Sequence, residues 1–140
     1  MILKVEQWMT REVVSVGRHD NIALVAELMR KNNIGAVVVC DGDHPAGIIT
    51  ERDIIRKVVA QKKNPEQESC ETIMSHNLIS VDKDTEIKEV TDKMVRYNIK
   101  KMPIVDNGRL SGIITSTDIV RTMSQLNKLY DAKDLMNLGA

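Results

Sequence analysis

The sequence predicts a mixed fold of the α/β (α+β) class, in which two tandem β-α-β-β-α repeats with pseudo-two-fold symmetry form one compact module. One observation is a motif of glycine, two isoleucines and threonine, followed after two residues by aspartate, at residues 47–53 and 112–118. Another is that residues outside the motif also recur 65 positions later without a gap, as Met9-Thr10 does at Met74-Ser75. A repeat this regular determines the fold prediction before any other feature.

Chain length determines how the two copies relate. A chain of 140 residues can bury a proper core, whereas a unit of about 60 residues is only marginally stable alone. We therefore expect the copies to bury a shared face against each other. The repeats are assigned to residues 8–61 and 73–127, with a linker at 62–72 and a C-terminal helix or tail at 128–140.

The elements of the first copy follow from its periodicities. A short strand is predicted over residues 13–16 and a helix after it, capped by Asp20 or Asn21 and ended at 33–35. The apolar face of this helix is spaced by three and four residues: Ile22, Val25, Ala26 and Met29. Strands 36–40 and 46–49 flank a turn. The next helix, 51–61, carries an apolar face that we expect to be buried: Ile54, Ile55, Val58 and Val59.

The second copy repeats this order, with strands predicted at 78–81, 102–105 and 110–114 and a helix at 86–98. The last helix is predicted to run on through Met123, Leu126 and Tyr130. The lead-in, residues 1–12, is expected to pack across the shared core through Leu3, Val5 and Trp8. The apolar residues of the tail are either a partner contact or an end that packs on its own core: Leu135, Met136 and Leu138.

Charge and composition exclude several classes of function. Twenty basic and twenty acidic residues give a net charge of zero, and there are only three aromatic residues, so nucleic-acid binding is disfavoured. No leader segment or membrane-spanning apolar run is visible, so a cytoplasmic protein without a membrane segment is expected.

Reactive side chains give no sign of catalysis or metal binding. Cys40 and Cys70 occupy different positions of the repeat, which favours buried thiols over a disulfide. The three histidines stand singly among polar residues, without metal-ligand spacing. No nucleophile paired with a base and no phosphate-binding glycine loop is visible, so the chain is not expected to be an enzyme or to need a cofactor.

Several marks of the repeat together resemble the CBS domain, and the tandem resembles a stand-alone CBS-domain pair, or Bateman module. Each copy has Met-Thr or Met-Ser before its first strand, an apolar strand ending in Asp41 or Asp106, and the terminal motif. The second copy also has the family's hydrophobic-proline strand at Met102-Pro103, whereas the first has Val38 in place of the proline. The resemblance covers residues 8–56 and 73–121.

The resemblance implies a regulatory module that binds AMP, ADP, ATP or S-adenosylmethionine in clefts between the copies, and that forms homodimers. The chemistry of the motif agrees. A carboxylate presents two acceptor oxygens that match the two hydroxyls of a ribose, which suits Asp53 and Asp118. The preceding Thr50 and Thr115 can add a contact. The same pattern is also typical of a helix capping box that binds nothing, and local sequence does not separate the two.

Family positions carried onto this chain give two sites. One combines residues of the second motif with the start of the first copy: Thr10, Val14, Ile34, Gly35, Ala36, Thr115 and Asp118. The other combines the first motif with the start of the second copy: Thr50, Asp53, Ser75, Ile79, Ile99, Lys100 and Lys101.

The two sites are predicted to be unequal. Gly35 and Ala36 leave room for a base, so the Asp118 site is expected to bind better, and Asp118→Ala is expected to lower affinity without unfolding the protein. Lys100 at the matching position should weaken the Asp53 site, although Lys100 and Lys101 are natural phosphate ligands. Arg52 and Arg109 are weaker candidates because a surface arginine is usually only solvated.

The leading hypothesis for function is an adenosine-nucleotide sensor that acts through an unidentified regulated protein. The alternatives are S-adenosylmethionine binding and a structural homodimerisation module with empty clefts. A homodimer is expected because helix faces such as Ile54/Val58 and Ile119/Met123 are predicted to remain exposed.

Overall fold

The computed structural model describes residues 3–138 and the side chains of residues 3–133. The first repeat contains strand β1 (Ser15–Gly17), helix α1 (Ile22–Asn32), strands β2 (Ala36–Asp41) and β3 (His44–Thr50), and helix α2 (Glu51–Ile54), which continues as a π-helical turn, Ile55–Val59. The second repeat contains helices α3 (Cys70–Ile73) and α4 (Ile87–Tyr97), strands β4 (Lys101–Asp106) and β5 (Arg109–Thr115), and helix α5 (Ser116–Leu138). A 3₁₀ turn, Val5–Gln7, precedes them. The mixed fold is confirmed, although the short helix α3 was not predicted and begins in residues assigned to the linker 62–72. The predicted strands and longer helices are confirmed in order, with one exception in the second repeat.

The exception is the strand predicted at residues 78–81, which forms only a single parallel bridge between Val81 and Ile104. In the first repeat β1 pairs with β2 in parallel, and Val38 donates its N–H to the Val14 carbonyl at 3.4 Å. The position of Val38 is taken by Pro103 in the second repeat. Because proline has no N–H, the corresponding bond cannot form, and the pairing shrinks to one residue.

The antiparallel hairpins of the two repeats correspond residue for residue. Strands β2 and β3 pair from Ala36 with Thr50, and β4 and β5 pair from Lys101 with Thr115. Each hairpin contains a register shift at the same place, between Val39 and Cys40 in one and 65 positions later in the other. The sequence repeat is therefore a repeat of backbone hydrogen bonding.

The buried apolar residues form two clusters, one in each repeat, and not the single shared core that was predicted. Each cluster is completed by a segment that comes from outside its repeat. Val5 and Trp8 lie in the apolar cluster of the second repeat, whereas Cys70, Ile73 and Met74 lie in that of the first. We name residues 3–10 the first crossing segment and residues 68–75 the second crossing segment. The lead-in thus contacts the far repeat rather than spanning a common interior.

Backbone hydrogen bonds hold both crossing segments in equivalent places. The N–H of Val5 donates to the Thr85 carbonyl at 2.8 Å, and the N–H of Cys70 donates to the Asp20 carbonyl at 2.8 Å. Each segment then pairs with the last strand of the repeat it completes, through bridges from Thr10 to β5 and from Ser75 to β3.

Two glycines permit this crossing. A Cβ at Gly47 would lie 2.6 Å from the Met74 sulfur and 2.8 Å from the Ser75 carbonyl oxygen. A Cβ at Gly112 would lie 2.6 Å from the Met9 sulfur and 2.9 Å from the Thr10 carbonyl oxygen. The glycine that opens each motif is therefore required because another piece of backbone passes over it.

Helices α1 and α4 follow the predicted pattern. The Asn21 side chain caps α1 by accepting the Leu24 N–H at 2.9 Å, as Ser, Thr, Asp and Asn do at this position. Both helices end in an asparagine with left-handed backbone, Asn33 with φ 52° and Asn98 with φ 51°. Ile22, Val25 and Met29 are buried, whereas Ala26 is exposed.

The helix after β3 differs from the prediction in its buried face. Val58 is 1% exposed, but Ile55 and Val59 are 59% and 65% exposed. One helical side can face the core, and residues 54 and 58 occupy it, so residues 55 and 59 point away. The predicted exposure of Ile54/Val58 is wrong for the same reason.

Helix α5 begins at the second motif and continues through Tyr130, as predicted. Ile119 is buried, contrary to its predicted exposure, whereas Val120 and Met123 are 68% and 51% exposed. The predicted contacts of Leu135, Met136 and Leu138 lie outside the described side chains. None of the helices within residues 3–138 is long and apolar enough to cross a membrane.

Candidate functional site

The two motifs form strand-to-helix turns with closed capping boxes. In the first, the Thr50 N–H donates to Asp53 Oδ2 at 2.9 Å, and the Asp53 N–H donates to Thr50 Oγ1 at 3.3 Å. In the second, the Thr115 N–H donates to Asp118 Oδ2 at 3.0 Å, and the Asp118 N–H donates to Thr115 Oγ1 at 3.1 Å. The capping interpretation therefore holds for both, and each box leaves Oδ1 of the aspartate outside its own bonds.

A cavity of about 830 Å³ lies beside the first motif, within the size range of small-molecule sites. It contains all seven residues of the predicted Asp53 site: Thr50, Asp53, Ser75, Ile79, Ile99, Lys100 and Lys101. Its apolar lining, which we name the apolar wall, includes Ile48, Leu78 and Pro103. The structure thus places the carboxylate, an apolar wall and two lysines around one space.

The charge of this lining is positive. The cavity is lined by two acidic residues, Glu51 and Asp53, and by four cationic ones: Arg52, Arg56, Lys100 and Lys101. Among the side chains that the structure describes, none of the four cations makes an ion pair. A net excess of positive charge, in a chain whose net charge is zero, makes this cavity suited to an anion.

Lys101 is the most enclosed of the four cations, and its side chain reaches across to the first repeat. Its Nζ lies 2.6 Å from the point where a Cβ on Gly35 would stand, with Glu51 Oε1 at 2.8 Å from the same point. Burial lowers the pKa of Lys101, the nearby Glu51 carboxylate opposes this shift, and Lys100 adds to it. An anion bound here would favour the charged form of the ammonium.

The Asp53 carboxylate has an additional partner in Lys57. The Lys57 Nζ lies 3.2 Å from Asp53 Oδ1 and donates to the Ile73 carbonyl at 3.0 Å. Thr50 Oγ1 also lies 3.1 Å from Asp53 Oδ2. A carboxylate offers about four acceptor positions, and three are occupied here: two on Oδ2 by Thr50 and one on Oδ1 by Lys57. One position on Oδ1 remains for a ligand, and a second opens on Oδ2 if Thr50 Oγ1 turns away.

The residues of the predicted Asp118 site are placed differently. Thr10 pairs with Ile113 by a backbone bond of 2.9 Å, and Val14 and Ile34 pack against the first core. Gly35 lines the cavity of the other site, and Ala36 is 8% exposed. Asp118 faces Arg121, whose Nη1 lies 3.8 Å from Oδ1.

Arg56 is absent from the sites predicted from the sequence, and Arg52 was predicted only as a weaker candidate. The two arginines are four positions apart at the start of one helix, so they lie on one side of it, and both line the cavity. That spacing, next to a motif already chosen for ligand chemistry, was the available signal. Arg109, the other weak candidate, instead pairs with Asp43 at 3.2 Å on the opposite hairpin.

The two cysteines are buried. Burial raises the pKa of the Cys40 thiol and raises that of Cys70 to about 11, so neither thiol is activated as a nucleophile. Both are free thiols. Within the described part of the chain, no group of three or more histidine, cysteine or acidic residues is arranged to hold a metal ion.

Comparison with known proteins assigns both repeats to one family. The model of the CBS domain matches residues 5–60 and again residues 70–125. The two matches begin at Val5 and Cys70, the residues whose N–H groups make the equivalent bonds of the crossing segments.

The chain is also similar to curated proteins over most of its own length. An uncharacterized protein of Methanopyrus kandleri is 42% identical over 113 residues, which cover 79% of this chain and 58% of the relative. One of Methanocaldococcus jannaschii is 36% identical over 138 residues, 89% of this chain and 33% of the relative. The chain thus spans about half or less of these relatives' length.

Among solved structures, a CBS-domain-containing protein of Agrobacterium tumefaciens is 31% identical with a TM-score of 0.78, covering 86% of this chain and 98% of that one. Hypoxic Response Protein I, whose structure contains two coordinated zinc ions, is 30% identical with a TM-score of 0.78, covering 84% of this chain and 97% of that one.

Proposed function

This chain belongs to the CBS-domain family as a tandem pair, a regulatory and ligand-binding class of module, and from that premise we propose that it is a sensor of adenosine nucleotides such as AMP, ADP or ATP. The observation that supports this most is the cavity beside Asp53, where cations, an apolar wall and a carboxylate line one space. Each of the three suits one part of a nucleotide.

The apolar wall suits a flat base, because burying it removes apolar surface from water. The Asp53 carboxylate can accept one ribose hydroxyl on Oδ1, and a second on Oδ2 if Thr50 Oγ1 turns away. The four cations suit phosphate oxygens, and arginine in particular can bind phosphate with two parallel hydrogen bonds. S-adenosylmethionine fits less well, since its sulfonium is a cation and the lining already carries an excess of positive charge.

The two predicted sites exchange rank in this proposal. The small size of Gly35 and Ala36 predicts stronger binding at the Asp118 site, and that ranking stays a prediction. The geometry supports the opposite order, because the cavity with the cations lies at Asp53. The residues at the positions of Lys100 and Lys101 on the Asp118 side, Gly35 and Ala36, carry no charge.

A sensor must pass its ligand state to another protein. We propose that this chain forms a homodimer and that the homodimer acts on a regulated partner protein. Exposed apolar residues lie at equivalent positions of the two repeats, Ile55 at 59% and Val120 at 68% exposure, with Val59 and Met123 beside them. A symmetric, self-complementary interface would cover these residues. Light scattering at micromolar concentration measures the mass, and a monomer would contradict the dimer.

The nucleotide proposal is tested by thermal unfolding with adenosine, AMP, ADP, ATP and S-adenosylmethionine, because a ligand that binds only the native state raises the melting temperature. We expect a rise of several degrees with a nucleotide and a smaller rise with adenosine. No rise with any of the five compounds would leave the alternative, a structural module with empty clefts.

The role of the cations is tested with a charge-matched control. Replacing Arg52 and Arg56 by alanine should weaken AMP binding and reduce its salt dependence, while adenosine binding stays the same. Replacing Lys88 and Lys128 by alanine removes the same charge from two exposed positions outside the cavity. This control should change neither AMP binding nor adenosine binding. Equal losses in both double variants would indicate a general charge effect instead of a phosphate site.

A further inference from the structure

Lys57 is an ammonium that contacts two functional parts of the molecule at once. Its Nζ lies 3.2 Å from Asp53 Oδ1 and donates to the Ile73 carbonyl at 3.0 Å. The first contact is with the carboxylate that lines the cavity. The second is with the second crossing segment, whose Ile73 is 2% exposed and whose Ser75 lines the same cavity.

The position of Lys57 follows from the local helix geometry. It lies in the π-helical turn, Ile55–Val59, which closes with the Ala60 N–H donating to the Ile55 carbonyl at 2.8 Å. A π turn inserts an extra residue into a helical turn and often occurs at functional positions. Asp53 and Lys57 remain four positions apart, a spacing at which helical side chains meet.

Among the side chains that the structure describes, the second repeat contains no equivalent of this connection. The position that matches Lys57 is Thr122, and the position that matches Ile73 is Trp8. Asp118 instead contacts Arg121, whose side chain is 66% exposed and whose Nη1 lies 3.8 Å from Oδ1. Helix α5 is α-helical from Ser116 onward. The connection is therefore a property of one repeat and not of the repeated unit.

We propose that Lys57 is a positioning residue that couples the Asp53 carboxylate to the second crossing segment, so that whatever Asp53 binds changes the stability of that segment. Because one ammonium bonds both groups, a shift in the carboxylate changes the bond to Ile73. The backbone of this segment is joined to β3 by the Ser75 N–H donating to the Ile48 carbonyl at 3.0 Å. Binding is thus transmitted to the place where the two repeats are joined.

The coupling can be measured without any ligand, by amide hydrogen exchange of Met74 and Ser75. Asp53→Asn keeps an oxygen acceptor for the capping box and removes the charge that Lys57 contacts. We expect exchange of these two amides to become faster by about tenfold, the size of one lost charge-assisted bond. Lys57→Met should have the same effect, and combining the two substitutions should add little, because both break one connection.

Asp118→Asn is the matched control. It makes the same chemical change in the other capping box, where Thr122 replaces the lysine, and it should leave exchange of Met9 and Thr10 in the first crossing segment unchanged. If Lys57 served only to bind the Ile73 carbonyl, Asp53→Asn would leave Met74 and Ser75 unaffected, and the inference would be wrong. Lys57→Arg retains a cationic donor and should restore most of the protection, which also answers the objection that Lys57→Met misfolds.

The ligand-dependent part of the inference rests on the nucleotide site proposed above. AMP should slow exchange of Met74 and Ser75 in the wild-type protein and should have a much smaller effect on them in Lys57→Met, measured at AMP concentrations that saturate each protein. If AMP binds Lys57→Met and protects these amides as in the wild type, the coupling is refuted and the nucleotide site stands. If the wild type does not bind AMP, the nucleotide site fails for this ligand, and the ligand-free comparison still decides the role of Lys57.

Discussion

The two repeats have nearly the same backbone and different chemistry. Their hairpins share one register, their crossing segments make equivalent bonds, and their motifs close equivalent capping boxes. Their charged side chains differ: the cavity at Asp53 is lined by four cations, whereas Gly35 and Ala36 replace two of them at the other motif. The repeat therefore specifies a scaffold, and a few unrepeated side chains determine what each copy can bind.

The largest expected effect tests this difference directly. Asp53→Ala should reduce AMP affinity by about 10- to 100-fold, because hydrogen bonds to a charged group contribute about 1.5–3 kcal/mol. Asp118→Ala should reduce it by less, measured by titration calorimetry on both variants. Each substitution also removes the carboxylate that closes a capping box and should cost about 0.5–2 kcal/mol of stability, so urea unfolding controls for folding. A greater loss of affinity in Asp118→Ala would restore the order predicted from sequence.

A second prediction concerns what the repeats share. Gly47→Ala and Gly112→Ala should each destabilise the protein by about 1–3 kcal/mol, because the new Cβ meets the backbone of a crossing segment. The two losses should be similar, since the contacts match. Gly17→Ala is the control, because its Cβ would lie at an ordinary 3.5 Å from Asp20 Oδ2. Urea unfolding gives the three values, and strongly unequal losses at Gly47 and Gly112 would show that the crossings are not equivalent.

The smallest effect is a pH dependence that only the Asp53 cavity should show. The pKa of Lys101 is lowered by burial, and a bound phosphate favours its ammonium form, so AMP binding should take up protons near that pKa. Affinity should therefore fall as pH rises through a window below the ordinary lysine value of 10.5. In the folded protein without ligand the sign is opposite, because the unfolded chain binds more protons in this window and stability rises with pH.

Calorimetry of AMP binding across this range measures the decline, and Lys101→Met provides the comparison. The variant should bind AMP more weakly at neutral pH and should lose the decline in this window, retaining only the change that other lysines cause at higher pH. A wild-type protein whose AMP affinity is constant up to the pH range of ordinary lysines would show that Lys101 does not contact the phosphate.

Most of the scaffold was predictable from the sequence, because an element predicted in one copy is also predicted 65 residues later in the other. The strand predicted at 78–81 is reduced to a single bridge. The cause is the missing N–H of Pro103 on the neighbouring strand, which the sequence of residues 78–81 does not reveal. Burial was also predicted for Ile55 and Val59, because two overlapping apolar spacings cannot be ranked without knowing which side faces the core.

The candidate site was partly predictable for a related reason. Family positions identified Asp53 and Lys101, which line the cavity, but Arg56 and Lys57 follow from the geometry of one helix and not from the motif. The ranking of the two sites depended on the size of single side chains such as Gly35. The depth and charge of a cavity depend on the arrangement of about 17 lining residues, which spacing along the chain does not provide.

The crossing segments also constrain the order in which the chain can fold. The first core includes Cys70 and Met74, and the second includes Val5 and Trp8, so neither core closes from one repeat alone. During synthesis, the first core is complete only after residue 74 has left the ribosome. The apolar residues of the first crossing segment remain without their packing partners until most of the second repeat has been synthesised. Contacts between distant parts of the sequence form only after the chain has lost the entropy of closing the loop between them. We therefore expect both repeats to fold together, cooperatively and comparatively slowly.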